Sequence, residues 1–332
     1  MGRYFHNGDD TMKRSTSVFI IYFGVIICTL LLRVAFNLGF ASGSEMESEF
    51  AWTILGQVSI FGIMPFTLYF ITNKKGNMLE VGSVFKDFGF KKTSGENIAL
   101  TIPITILLMF IVTCVVTFYS IFLKMIGYTK SQSDVDYYNI GILFEQILLV
   151  AILPAFFEEF AHRGLLFAGL KDATSKPVIL IVLSSVLFAL MHQNVQQVLY
   201  TCIAGSVMGL VTYYSGSIWC GISVHFINNV LYIFEDFLYQ KSSLFNEVYT
   251  RIFNMLTGTL FGLMIGFTMF AGSVVAIVFM LRRMRSTGKE KGVLLEKDST
   301  KKFTAIDIAV ITSTILVGAA ATILSLVWGI MR

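Results

Sequence analysis

The stretch at residues 156–167, FFEEFAHRGLLF, places four ionisable side chains inside a run of apolar residues. Residues four apart share a helix face, so Glu159 is predicted to pair with Arg163, in the order that favours an ion pair. Adjacent helical positions are rotated by about 100°, so Glu158 is predicted to point elsewhere, on the face of His162. This division leaves Glu158 free to hold a water molecule or a metal ion.

Such a cluster is costly in a membrane. A charge at the bilayer centre costs roughly 2.5 to 3.5 kcal/mol on insertion scales, so the cluster should face a protein interior or a wet cavity. Three interpretations other than catalysis fit this stretch. It could be a structural ion-pair network, a proton relay of a transporter, or part of a di-iron site, since Glu159 and His162 spell Glu-x-x-His. A di-iron site needs a second such motif, and no predicted span contains one.

Two histidines and an asparagine lie in or beside other predicted spans. His192 stands in FALMHQN and His225 in SVHFINNV, and Asn229 follows His225 by one turn on the same face. With a rise of about 1.5 Å per residue, Glu158 lies roughly 18 Å, His192 roughly 22 Å and His225 roughly 12 Å from the predicted cytoplasmic ends of their spans. We therefore expect these side chains to meet at one level.

This set of side chains is suited to amide hydrolysis in two ways. Without a metal, Glu158 takes a proton from a water molecule held by His192, while His225 and Asn229 stabilise the oxyanion. These contributions are typically worth about 10² to 10⁴ and 10² to 10³ in rate, respectively. With a metal, Glu158, His192 and His225 would be the ligands of a divalent ion such as zinc, with an open position for water. The residues leave both alternatives open.

The composition indicates the class of protein that carries these residues. Of the 332 residues, 55% are hydrophobic and 14% charged, which is too little charge to cover a soluble globule of this size. We therefore expect an all-α, polytopic transmembrane helix bundle of eight or nine spans in the lipid bilayer, with residues 1–332 as a single integral membrane domain. The first run is interpreted as a retained anchor. The apolar runs lie near 16–40, 52–73, 97–126, 141–170, 177–192, 196–215, 217–238, 253–281 and 304–330.

The distribution of basic residues predicts the orientation. If the N-terminus is cytoplasmic, the cytoplasmic segments hold 18 of the 25 Lys and Arg residues and the opposite side holds 5. Cytoplasmic loops are normally enriched in these residues, so the count favours nine spans with the N-terminus inside. The net charge of +4 follows from this topology and gives no reason to expect a nucleic-acid partner.

Three glycines at four-residue spacing, Gly258, Gly262 and Gly266, lie in the eighth predicted run. Small residues at this spacing let another helix approach closely. We expect packing within the bundle here rather than a dimer interface, and the oligomeric state is not predicted.

Three motifs in order carry a resemblance to a known family. EEFAHRG, FALMH and GSIWCGISVHFINN lie within residues 141–240. Their order and spacing resemble the CPBP family of intramembrane proteases, which includes the CAAX prenyl protease 2 and bacterial abortive-infection-like membrane proteins. The resemblance marks residues 141–240 as the predicted catalytic core.

Position by position, the resemblance implies roles for six residues. Glu158 is implied to activate water together with His192, and Glu159 and Arg163 to support the site. His225 and Asn229 are implied to stabilise the oxyanion. His162 falls at a variable position of the family motif and is left outside the catalytic set.

The resemblance also implies a function. We expect an intramembrane endopeptidase, glutamic or metallo, acting on a membrane-associated, prenylated or secreted peptide in a bacterial cell membrane. The alternatives are a proton-coupled membrane transporter and a non-catalytic scaffold or immunity protein of the same fold.

Overall fold

The computed structural model describes most of the chain, and within it the backbone forms eleven helices and no strand. Residues 1–12, which the sequence places on the cytoplasmic side, lie outside the described part. The described residues are 13–37, 50–51, 53–74, 81–129, 135–137, 139–290, 294, 298 and 300–331.

The helices are numbered in chain order. They are α1 (Arg14–Asn37), α2 (Leu55–Ile63 continued by Met64–Lys74), α3 (Val81–Asp87), α4 (Gly95–Met125), α5 (Ile140–Ala173), α6 (Pro177–Met191), α7 (Val195–Ser215), α8 (Ile218–Lys241), α9 (Ser243–Thr257), α10 (Leu260–Glu290) and α11 (Ala305–Met331).

The prediction of an all-α membrane bundle is confirmed. Within the described residues, seven helices are long and apolar enough to cross a membrane, namely α1, α2, α4, α5, α7, α10 and α11. The predicted count of eight or nine also included α6 and α8. Helix α6 is apolar but has only 15 residues, about 22 Å of rise. Helix α8 has 24 residues, but its second half carries Glu235 and Asp236.

The predicted run at 253–281 is wrong at its start, because two helices meet there. Helix α9 ends at Thr257, and the N–H of Gly258 closes it by donating to the Asn254 carbonyl over 2.8 Å. A Cβ on Gly262 would lie 1.9 Å from the Met255 carbonyl oxygen, whereas one on Gly266 would meet nothing within 4 Å. Gly258 therefore lies in the turn between α9 and α10, Gly262 packs against the end of α9, and Gly266 faces open space, so the three glycines do not form one packing stripe.

Helix α5 carries the opening stretch and changes its winding twice. Segments Ile147–Ile152 and Phe160–Leu166 are π-helical, and the rest of α5 is α-helical. Such π-helical turns occur frequently at functional sites. The second segment starts directly after Glu159 and contains His162 and Arg163. Helices α1, α2, α6 and α8 pack against α5, and α7 packs against α6 and α8.

Candidate active site

Four ionisable side chains of α5 are buried. Glu159 and His162 are 0% exposed, Arg163 is 1% exposed and Glu158 is 7% exposed. Burying a charge is costly unless it is paired and hydrogen-bonded. The partners of these four groups therefore decide what the cluster can do.

Arg163 forms the ion pair that its spacing predicts. Its Nη1 donates to Glu159 Oε1 over 2.8 Å, and its Nη2 donates to the backbone carbonyl of Gly205 in α7 over 2.7 Å. The guanidinium carbon lies 4.7 Å from the centre of the Phe188 ring. A planar group with several fixed donors suits such a site, because it can serve two acceptors and stack on a ring at once. Arg163 thus ties Glu159 to α6 and α7.

His225 of α8 lies against both glutamates. Its Nδ1 is 3.1 Å from Glu159 Oε1, and its Nε2 is 4.0 Å from Glu158 Oε2. The expectation that the adjacent glutamates face different partners is therefore only half right. Glu159 alone pairs with Arg163, but an imidazole has nitrogens on two edges and so reaches both carboxylates.

Gly221 allows α8 to approach the two glutamates this closely. A Cβ on Gly221 would lie 2.4 Å from Thr212 Oγ1 and 3.0 Å from Glu159 Oε2. Any larger residue at this position would displace one of these side chains. The missing side chain of Gly221 therefore sets the approach of α8 to the glutamate pair.

Glu158 has a partner from outside α5. Gln57 of α2 donates from Nε2 to Glu158 Oε1 over 2.9 Å. The second carboxylate oxygen, Oε2, is buried and has no hydrogen-bond partner among the described residues. One oxygen of Glu158 is thus held, and the other is free on the side of His225.

His192 joins the cluster through an aromatic ring. It is half-buried at the end of α6, and its Nδ1 is 2.9 Å from the Phe188 carbonyl oxygen. The Phe188 ring centre lies 5.0 Å from that of His192 and 5.8 Å from that of His225. His192 and His225 therefore both pack against the Phe188 ring, in agreement with the similar depths that helix rise predicts for them.

The segment after His192 is held by α1. Arg33 donates from Nη1 to the backbone carbonyls of His192 and Gln193, over 3.1 and 2.6 Å. Gln193 has a φ of 50°, a conformation in which residues other than glycine are uncommon. Arg33 thus clamps a strained turn that carries His192.

Asn229 makes contacts of another kind. Its Nδ2 donates to the Val150 carbonyl of α5 over 2.7 Å, and its Oδ1 accepts from Asn228 over 3.2 Å. The Asn229 amide therefore ties α8 to α5, and its implied part at the oxyanion stays a prediction.

His162 is fully buried at the site, although the motif leaves it outside the catalytic set. Its Nδ1 is 2.7 Å from the Glu158 backbone carbonyl oxygen, not from the carboxylate. Its ring centre lies 5.4 Å from that of Tyr22, 6.4 Å from that of Phe61 and 4.9 Å from that of Phe188. His162 thus packs behind Glu158 against aromatic side chains of α1, α2 and α6.

The donor atoms do not fit a metal. Among the described residues, no three His, Cys, Asp or Glu side chains lie together so that they could hold a metal ion. The predicted ligand set of Glu158, His192 and His225 is therefore not formed.

Two residues of this site were missed by reasoning from motifs. Gln57 and Arg33 belong to α2 and α1, far from the three motifs in sequence. Each is a polar residue within an apolar run, and a polar residue in a span is itself a signal of a functional site. That signal does not name a partner, because both partners are more than 100 positions away.

The fold and these contacts define an integral membrane protein with a buried glutamate, histidine and arginine cluster. Residues 141–231 match the family model described as Type II CAAX prenyl endopeptidase Rce1-like. No curated protein and no solved structure matches the chain.

Residues 141–231 are thus a domain of the Rce1-like type II CAAX prenyl endopeptidase family, and this family implies a protease. All six site residues predicted from the motifs lie within the matched stretch. Gln57 and Arg33 lie outside it.

Proposed function

We propose that the protein is an intramembrane endopeptidase in which Glu158 activates the water molecule that hydrolyses a peptide bond. One observation carries the proposal: the buried Glu158 Oε2 has no partner among the described residues and lies 4.0 Å from His225 Nε2. A carboxylate oxygen with a free lone pair is what a general base requires. The family match supports the same class of reaction.

The hydrogen bonds of His192 and His225 orient the two rings for different roles in the reaction. The Nδ1 of His192 lies on the Phe188 carbonyl, which can only accept, so Nδ1 carries the proton and Nε2 is free to accept one from water. The Nδ1 of His225 donates to Glu159 in the same way. When the His225 ring carries both protons, its Nε2 donates to an oxyanion beside Glu158. This assignment keeps the roles that the motifs imply.

The hydrolysis then runs in two steps. Glu158 takes a proton from water while the water oxygen bonds to the substrate carbonyl carbon, and the carbonyl oxygen becomes an oxyanion that His225 stabilises. The oxyanion then re-forms the carbonyl as the C–N bond breaks, and Glu158 returns its proton to the leaving nitrogen. The products are a carboxylic acid and an amine. Arg163 and Glu159 hold His225 in place throughout.

The substrate is proposed to be a peptide that reaches the bilayer by a lipid anchor or an apolar segment. Two of the helices that build the site, α2 and α5, are long and apolar enough to cross a membrane. The family description names prenylated CAAX peptides, which have such an anchor.

The test is cleavage by purified protein in lipid nanodiscs. The probes are a farnesylated peptide that ends in Cys-aliphatic-aliphatic-any residue, the same peptide without the lipid, and peptides extracted from the source membrane. We expect Glu158→Gln to lower kcat by about 10² to 10⁴, because it removes the general base. Glu145→Gln, in the same helix, is the matched control and should keep full activity.

Two results would contradict the proposal. Unchanged cleavage by Glu158→Gln would remove Glu158 from the mechanism. If the wild-type protein cleaves none of the probes, the endopeptidase proposal fails. Ion flux in proteoliposomes would then support the transporter, and a lack of flux would support the scaffold.

A further inference from the structure

Gln57 stands outside the matched domain but touches its central carboxylate. It lies in the π-helical first half of α2, and its Nε2 donates to Glu158 Oε1 over 2.9 Å. Its own Oε1 is buried without a partner among the described residues. A buried polar atom without a hydrogen-bond partner costs free energy, so its presence calls for a functional explanation.

The packing of α2 against α5 brings Gln57 to this position. A Cβ on Gly62 would lie 2.7 Å from the Phe157 ring, so the ring packs directly against the α2 backbone. Phe157 is the residue immediately before Glu158. The same close approach that seats Phe157 therefore brings the Gln57 side chain within reach of the Glu158 carboxylate.

The hydrogen bond from Gln57 decides which oxygen of Glu158 is free. With Oε1 held, Oε2 is the oxygen that lies 4.0 Å from His225 Nε2. A reacting oxygen atom at about 2.8 Å, the usual hydrogen-bond length, can contact both atoms across that gap. If the carboxylate turned by about a quarter turn about its Cγ–Cδ bond, neither oxygen would face His225 and this arrangement would be lost.

The two adjacent glutamates are held by partners of different charge. Arg163 is a cation and neutralises Glu159, whereas Gln57 is a neutral amide and fixes Glu158 without neutralising it. A neutral donor opposes the protonation of a carboxylate less than a cation does. The partners thus distinguish a supporting glutamate from a reacting one.

We propose that Gln57 is a positioning residue of the peptidase, which holds Glu158 Oε1 so that Oε2 faces His225 and the substrate. The inference rests on the proposed function and extends the site to α2, beyond the matched domain. Gln57 acts through Glu158 and does not itself react.

The first test is kinetic. We expect Gln57→Leu to lower kcat about 10- to 100-fold with KM nearly unchanged, the loss expected for one hydrogen bond to a charged group. In a Glu158→Asp background the shorter carboxylate no longer reaches residue 57, so Gln57→Leu should cause no further loss. A merely structural role would give the same fold loss in both backgrounds. Full activity of Gln57→Leu, or equal losses in both backgrounds, would overturn the inference.

The second test needs no cleavage and so separates this inference from the proposed function. The carboxylate stretching band of Glu158 is obtained by infrared spectroscopy as the difference between wild-type protein and Glu158→Gln. We expect the band to shift in Gln57→Leu, because Oε1 loses its donor. Gln146→Leu, about 18 Å from Glu158 along α5, is the matched control and should leave the band in place. An unshifted band in Gln57→Leu would overturn the inference even if the enzyme is active.

Discussion

Two ion pairs of the same sequence spacing show how far environment decides the role of a residue. Glu159 with Arg163 and Glu247 with Arg251 are both four residues apart on a helix. The first pair is fully buried, and the second is exposed on α9. In water an exposed pair is screened and gains little, whereas a buried charge that loses its partner cannot be solvated.

We therefore predict different costs for removing the two arginines. Arg163→Met should destabilise the protein by about 3 to 5 kcal/mol, because it leaves the Glu159 carboxylate buried with one partner fewer. Arg251→Met should change stability by only about 0.5 kcal/mol or less. Denaturant unfolding in detergent micelles measures both values. Equal costs would contradict the view that Arg163 compensates a buried charge.

At the scale of helices, α1 and α2 complete a site whose motifs all lie on α5, α6 and α8. Helix α2 supplies Gln57, and α1 supplies Arg33 at the end of α6. Helix α1 also packs along the second half of α5. The matched domain therefore contains the proposed reacting groups, and the helices before it contact two of them, Glu158 and His192.

The substitution Arg33→Met tests whether Arg33 holds the turn after His192. Without the guanidinium, the carbonyls of His192 and Gln193 lose their donors and the strained turn should open more often. We expect faster hydrogen–deuterium exchange over residues 192–198, together with a kcat lowered about tenfold, the loss expected for a hydrogen bond to a charged group. Lys124→Met, a cation near the end of α4, is the control. Unchanged exchange in Arg33→Met would show that α1 does not hold His192.

At the scale of the whole molecule, the two ends of α8 can be related to the orientation that the basic residues predict. Helix α8 begins beside the segment between α3 and α4, since Ile218 N–H donates to the Gly89 carbonyl over 2.9 Å and Ser217 Oγ donates to the Lys91 carbonyl over 2.6 Å. The helix is 24 residues long and ends at Lys241, about 36 Å away. Lys92 and Lys241 thus mark opposite ends of α8, and the basic-residue count predicts that Lys92 is cytoplasmic.

This prediction is tested with single cysteines in a background without the four native ones. A membrane-impermeant maleimide should label Lys241→Cys in intact cells and Lys92→Cys only after the membrane is opened. The reverse pattern would show that the N-terminus faces outside. Labelling of both in intact cells would contradict a membrane-crossing α8.

The helices and one of the buried ion pairs follow from the sequence alone. A backbone in lipid must satisfy its own hydrogen bonds, so an apolar run of sufficient length is a helix. Within the described residues each predicted run falls on one helix, except 253–281, which is divided between α9 and α10. The pairing of Glu159 with Arg163 also follows, because residues four apart meet on any helix. The end of α9 before Gly258 is not predicted from the sequence. The reason is that the apolar residues Phe253 and Met255 of the amphipathic α9 resemble the start of the next apolar run.

Tertiary structure alone decides which distant groups meet. That His225 reaches both glutamates, that Gln57 holds Glu158 and that Arg33 clamps the turn after His192 depend on how the helices are rotated and how closely they cross. In a soluble helix the polar face marks the outside, but in lipid both faces of a span are apolar and the pattern does not fix the rotation. The sequence by itself thus determines the helices and the reactive residue types. The packing that Gly62 and Gly221 permit decides which of these residues form a site.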